Sequence, residues 1–416
     1  MRIQAHTERQ EAMDKLLVVS LDTYRRDNLG KVVNGVPISP FMTEFQKNSI
    51  YYGNYYASCN WTIPSYASMF TGEPTVSHNF WGYRLYPGQP VDLIFDRFVE
   101  AEVRPALICC GVLAESDVFQ YRSQRYFAST YDTRKLDGMI NMIANRLKES
   151  DMVFFHTFLM HDYFHHYDYT SEHYGLERRY DFIDQERSRV MGQKMKLWRE
   201  EHFPLTLEDL DIVEKMYYNE CLLVDDFMRQ LVDVVLERYP GLEIIVNSDH
   251  GECFSHCGKK AFDGNWGKSE NPLWHHSTGF CSEQFEVFAI RHSRRLGGGI
   301  LDNTLMDHED FYQMMLGKFG LRERPMGGKR YNLISTSYAK VGFCGVLEGG
   351  DVYLYDRNRD FEFILKDNLY TNDFSAPVAD KVVAYRDILK SRNRDVSSYR
   401  EASEEVKARL KGFGYM

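Results

Sequence analysis

Four short apolar runs constrain this chain more than any other feature: Leu16 to Ser20 (LLVVS), Ala106 to Cys110 (ALICC), Met152 to Phe158 (MVFFHTF) and Glu243 to Asn247 (EIIVN). Each is brief, nearly unbroken and rich in Val, Ile, Leu or Phe, the pattern of a strand buried on both faces. Helical patterns lie between them at Asp92 to Ala101, Lys135 to Glu149 and Leu207 to Tyr239, the last with apolar residues every three or four positions. Strands alternating with helices predict an α/β fold with a large, mostly parallel sheet sandwiched by helices. Ligands of such sheets bind beyond the carboxyl ends of the strands, so the polar residues that follow the runs matter most.

Three of the four runs end in residues that carry chemistry: Asp22, then His161 and Asp162, then Ser248-Asp249-His250-Gly251-Glu252. The fourth ends in Gly111 and carries none. Any one of these taken alone reads as a helix cap or a solvated loop, because Asp and Ser begin helices well. Together they place carboxylates and imidazoles at one sheet edge, where they repel or stay unsatisfied unless a cation organises them.

Composition narrows the partners. Lys plus Arg number 50 against 60 Asp plus Glu, a formal charge of −10, with no long basic run, which argues against a nucleic-acid binder. A hydrophobic share of 44% with 12 prolines is ordinary for a globular chain. No apolar run reaches the roughly 18 residues of a membrane span. The N-terminus to Lys15 is polar and charged, and the run after it breaks at Asp22, so it does not read as a signal peptide and a cytoplasmic location is expected. The eight cysteines are scattered, which favours reduced thiols; Cys253 and Cys257 lack a second pair at zinc-finger spacing.

Several segments resemble one family. Val18-Val19-Ser20-Leu21-Asp22-Thr23 followed by Arg26-Asp27-Asn28-Leu29-Gly30 resembles the opening of the sulfatase-like members of the alkaline phosphatase superfamily. Trp61-Thr62-Ile63-Pro64-Ser65-Tyr66-Ala67-Ser68-Met69-Phe70-Thr71-Gly72 is similar to the family's nucleophile segment, and Ser248 to Glu252 to its second metal-binding segment. The ending Glu405 to Tyr415 resembles its tail. The four segments occur in family order along nearly the whole chain.

The resemblance implies separate roles. Thr62 is the nucleophile, with Asp22, Asp249 and His250 as the remaining ligands of a divalent cation, zinc or manganese. A Thr hydroxyl is a poor nucleophile at neutral pH, and bonding to a divalent cation lowers its pKa enough to form the alkoxide. Thr62 also precedes a helical pattern whose first amides suit an anion. His161 and His276 either bind a second ion, as in the phosphoethanolamine-transferase branch whose two-histidine spacing His156 and His161 keep, or hydrogen-bond the phosphoryl oxygens and leaving group. A competing pair is Asp162 with His166, spaced as in the phosphodiesterase branch; His165 and His275 are set aside.

Departures from the family shape the expected reaction. Sulfatases need a Cys or Ser at the nucleophile position, converted to formylglycine, and an Arg soon after; here those positions hold Thr62 and Tyr66. Cys59 stands three residues early and does not fit the modification pattern. Phosphate ester hydrolysis or transfer through a phosphothreonine is therefore expected, with a small anionic ester as substrate. The alternatives are a sulfatase acting without formylglycine and a degenerate member that only binds a metal or an anion. Arg25, Arg26, Lys259 and Lys260 read as solvated charges, and Leu296 to Gly299 as a turn. Residues 163–207 read as an insertion: a lid, a helical excursion or a dimer contact. The pattern changes near Lys329, which divides a catalytic domain, 1–329, from a small C-terminal α+β subdomain, 330–416.

Overall fold

The computed structural model describes residues 15–80, 92–110, 113, 127–130, 138–161, 163, 178–201, 205–254, 276, 282–338, 341–349, 351–356, 360–366, 369–371 and 376–392. The four apolar runs form four adjacent strands: β1 (Leu16–Leu21), β5 (Pro105–Cys109), β7 (Met152–Thr157) and β8 (Glu243–Ser248). Four more complete the main sheet: β4 (Ile50–Tyr56), β6 (Phe127–Thr130), β9 (Glu286–His292) and β10 (Ile300–Asp302). The strand order is β10-β4-β9-β8-β1-β7-β5-β6. Only β9 runs against its neighbours, pairing antiparallel with β8 and β4. Separately, β2 (Val32–Val33) and β3 (Val36–Pro37) form a small hairpin.

Register explains why the polar residues meet. In β1, Leu21 lies opposite Thr157 of β7 and Ser248 of β8, so the next residues, Asp22 and Asp249, leave the same edge at the same level. Both faces of β1 are covered, as its unbroken apolar run requires. Leu16 and Val18 pack with Tyr66, Phe70 and Phe154, and Leu17, Val19 and Leu21 pack with Val213, Tyr217 and Phe227 of the long helix Leu207–Arg238. The same helix holds its neighbour Pro40–Lys47, since Asp225 accepts the Phe41 and Met42 amides at 2.9 and 2.8 Å.

A second sheet of β11 (Asn332–Tyr338), β12 (Val341–Glu348), β13 (Asp351–Asp356), β14 (Phe361–Lys366) and β15 (Leu369–Thr371) is wholly antiparallel. The helix Ala376–Arg392 packs on it through Val382, Tyr385 and Leu389 against Val346, Tyr353 and Ile364. These elements make the small α+β unit of the expected fold class. Within the expected insertion, Tyr163 is buried and Gln185–Glu201 is a helix, while 164–177 lie outside the described residues. Arg25 departs from expectation: it is buried, paired with Asp27 at 2.7 Å and facing Glu214 at 3.6 Å, not solvated. Arg26 is partly buried and bound to Glu286. Residues 296–299 do turn, with Gly297 and Gly299 at φ 70° and 75°.

Candidate active site

The chain delivers Thr62 to the edge where β1 and β8 end. It leaves β4, passes Trp61 and enters the helix Thr62–Thr71, of which Thr62 is the first residue and not the cap. Asp22, Thr62, Asp249 and His250 are all fully buried. Thr62 Oγ1 stands 3.2 Å from His250 Nε2 and 3.3 Å from Asp22 Oδ2. Asp22 Oδ1 and Asp249 Oδ2 lie 3.7 and 3.4 Å from the same Nε2. Among the described residues, Asp22, Asp249 and His250 form the only trio of His, Cys, Asp or Glu side chains whose ligand atoms all lie within 4.8 Å of one another.

Hydrogen bonds leave the inward atoms available. Asp249 Oδ1 accepts the amides of Thr23 and His250 at 3.2 and 2.9 Å, whereas its buried Oδ2 accepts none. His250 Nδ1 donates to the Gly251 carbonyl at 2.9 Å, which fixes the proton there and leaves Nε2 with its lone pair. Gly251 must be glycine, because a Cβ would collide with the Glu283 carbonyl, and its amide donates to the Gln284 carbonyl at 2.9 Å. The Gln284 side chain accepts from Asn60 Nδ2 at 3.1 Å, tying the loop that carries His250 to the loop that carries Thr62.

The charges are unbalanced without a cation. Burial and then the negative charge of Asp22 hold the Asp249 carboxyl well above the usual carboxylate range, and burial and then His276 push the His250 imidazole well below its ordinary value. Two buried carboxylates that repel each other, a bare imidazole nitrogen and a hydroxyl on one point fit a divalent ion of the kind nitrogen and oxygen ligands take.

The histidines form a second layer. The His276 ring centroid lies 4.5 Å from that of His250 and 4.9 Å from that of His161, and His161 stacks on Phe158 at 3.9 Å. Glu252 Oε2 is 3.1 Å from His276 Nδ1. The structure thus brings Asp22, Thr62, Asp249, His250, His161 and His276 together. Glu252 was visible as part of a motif, but its partner was not. Sequence reasoning noted His156 only for its spacing to His161, with no role of its own, and did not single out His308. His156 Nε2 lies 2.9 Å from Asp22 Oδ2 and its Nδ1 4.0 Å from Cys110 Sγ, so the run thought to end without chemistry does reach the site. His308 Nδ1 accepts the Ser58 amide at 3.2 Å, just ahead of the nucleophile helix. Asp162, His165, His166, Cys257, Lys259, Lys260, His275 and the ending Glu405 to Tyr415 lie outside the described residues.

Known proteins share this architecture. The phosphonate monoester hydrolase SpPMH from Silicibacter pomeroyi is similar with a TM-score of 0.63 at 10% identity, over 91% of this chain and 95% of that one. A 2-O GAG sulfatase aligns with a TM-score of 0.61 at 13% identity, over 94% and 96%. The C-terminal periplasmic domain of the phosphoethanolamine transferase EptC from Campylobacter jejuni aligns with a TM-score of 0.50 at 16% identity, over 74% and 91%. At such identities these likenesses speak for the fold alone. Among curated proteins none matches by sequence. The Sulfatase family model, however, matches residues 14–320, and with the fold this places the chain in the sulfatase family of the alkaline phosphatase superfamily.

Proposed function

We propose that the protein is a metal-dependent enzyme acting on a small phosphate ester, a phosphodiester or phosphomonoester, as a hydrolase or phosphoryl-type transferase with Thr62 as covalent nucleophile. The observation that carries this reading is the placement of Thr62 Oγ1 within 3.3 Å of both Asp22 Oδ2 and His250 Nε2. Asp22, Asp249 and His250 would hold the ion, with zinc or manganese suited to their donors. A divalent ion bound there supplies Lewis acidity that lowers a hydroxyl's pKa and offsets phosphoryl charge. Thr62 passes its proton to Asp22 Oδ2, which accepts its hydrogen bond at 3.3 Å, and its oxygen bonds to phosphorus as the bond to the ester oxygen breaks in line. His276, oriented by Glu252, and His161 serve the phosphoryl oxygens and the leaving group or bind a second ion. Water or an acceptor hydroxyl then takes the phosphoryl group from Thr62.

Threonine cannot become formylglycine, and the position where sulfatases place an Arg holds Tyr66, whose hydroxyl is committed to Ser20 at 2.7 Å. The phosphonate monoester hydrolase and phosphoethanolamine transferase among the structural relatives are in keeping with phosphorus chemistry. A cytoplasmic enzyme is the accompanying reading. The test is turnover of bis-p-nitrophenyl phosphate, p-nitrophenyl phosphate and p-nitrophenyl sulfate with zinc or manganese added, alongside peptide mass spectrometry for a phosphoryl group on Thr62. Phosphate ester cleavage with a phosphorylated Thr62 peptide supports the proposal. Cleavage of the sulfate alone favours the sulfatase reading, and no turnover with retained metal favours a binding protein.

A further inference from the structure

His156 stands where the core pattern calls for an apolar residue. Along β7, Met152 and Phe154 fill the same side of the sheet as Tyr66 and Phe70, and His156 is the next residue in that row. It is fully buried, with the Tyr66 ring edge-on at 5.0 Å. A buried imidazole in such a place persists only when its nitrogens are engaged. Both are: Nε2 lies 2.9 Å from Asp22 Oδ2, and Nδ1 lies 4.0 Å from Cys110 Sγ. A carboxylate only accepts and a thiol is a weak donor, so the proton sits on Nε2 and Nδ1 accepts from Cys110. Register makes the reach direct, since His156 lies opposite Ser20, two residues before Asp22.

Building on the reading of Asp22 as a metal ligand, we propose that His156 is a positioning residue of the metal centre. Its Nε2–H binds Asp22 Oδ2, the oxygen that also faces Thr62 Oγ1 at 3.3 Å, while Oδ1 is turned to His250 Nε2 at 3.7 Å. Asp249 is arranged alike, with Oδ1 held by two amides and Oδ2 turned to the same nitrogen at 3.4 Å. Each carboxylate is therefore restrained on one oxygen, Asp249 on Oδ1 and Asp22 on Oδ2. The devices differ: main-chain amides hold Asp249, and a side chain from the neighbouring strand holds Asp22. Outer hydrogen bonds of this kind set the orientation and basicity of a ligand, and their loss weakens metal affinity about 10–100-fold.

The test is titration of the full-length chain with Zn²⁺ against a chromophoric chelator, with Co²⁺ absorption spectra and thermal melts in parallel. Wild type is expected to bind an ion that Asp249→Ala loses. His156→Phe is expected to keep the wild-type number of ions and the shape of the Co²⁺ spectrum while binding Zn²⁺ about 10–100-fold more weakly. His156→Gln, whose amide can still donate to Asp22, should recover part of the loss and covers the case in which the Phe variant does not fold. Wild-type affinity in folded His156 variants would reduce His156 to packing and overturn the proposal. Loss of the ion with a changed Co²⁺ spectrum would make His156 a ligand and overturn it equally. A wild-type protein that binds no ion would instead remove the metal-centre reading on which the proposal stands.

Discussion

Thr62 Oγ1 and His250 Nε2 lie 3.2 Å apart although 188 positions separate them in the chain. One begins a helix and the other follows a central strand, so the pair exists only once the sheet and its flanking helix have assembled.

That closeness makes Thr62 the most direct point of attack. Thr62→Ala should fold as wild type and lose turnover by at least about 10³-fold, with no phosphorylated intermediate. Thr62→Ser, which keeps a hydroxyl, should retain measurable turnover. Steady-state rates on the preferred ester with intact-mass analysis decide it, and near-normal turnover in the alanine variant would remove Thr62 from the mechanism.

Metal content should follow the buried trio. Asp249→Ala and His250→Ala, purified with zinc or manganese present, are expected to carry at least one ion per chain fewer than wild type by plasma mass spectrometry. Unchanged stoichiometry in both would mean that the ion sits elsewhere.

His161 and His276 have two roles to be separated. If they bind a second ion, His161→Gln and His276→Gln lower the ion count from two to one. If they donate hydrogen bonds, the count stays at one, turnover falls, and the pH–rate profile changes limb. Variants identical to wild type in both respects would leave these histidines structural, and Asp162 and His166 would be next in line.

Gly251 permits the close passage of the Glu283 carbonyl. Gly251→Ala should force that backbone apart and lower stability by about 1–3 kcal/mol, as overpacking does. Urea unfolding measures it, and a variant as stable as wild type with unchanged metal affinity would show that the two loops can separate freely.

His308 gives acid sensitivity a definite sign. Burial pushes its imidazole down to about 3 from 6.5. The unfolded chain takes up a proton near 6.5 that the folded protein refuses, so the stability contributed by neutral His308 is full above that value and is lost as pH falls towards 3. Unfolding of His308→Gln at pH 5 should take up about one proton fewer than unfolding of wild type. An unaltered pH dependence of urea midpoints would contradict this.

The legible part of the fold was the part whose physics is local. β8, β1, β7 and β5 sit side by side and are buried on both faces, so their sequences are almost purely apolar and readable. β4 reads IYYGNYY, a Tyr-rich segment without clean alternation, and it was not recognised as the strand leading to Thr62. Asp22, Asp249 and His250 were legible because they follow recognisable strands. His156 was hidden inside one of them, where an imidazole looks like an interruption of the core until Asp22 is seen beside it. His308 and Glu252 depend on contacts to Ser58 and His276, at separations of 250 and 24 residues, which no spacing rule encodes.

The antiparallel sheet is joined to the loop before the nucleophile. Ser335 donates its amide and its hydroxyl to the Ser58 carbonyl at 2.8 and 3.1 Å, and its own carbonyl accepts the Asn60 amide at 3.4 Å. A fragment ending before β11 would keep every residue of the candidate site yet strip the Ser58 carbonyl of both donors, four positions before Thr62 opens the nucleophile helix. Nonsense mutations and proteolytic nicks in this distant region should therefore behave as active-site lesions, and expression trials that trim the chain to its matched family segment should yield protein with a misplaced Thr62.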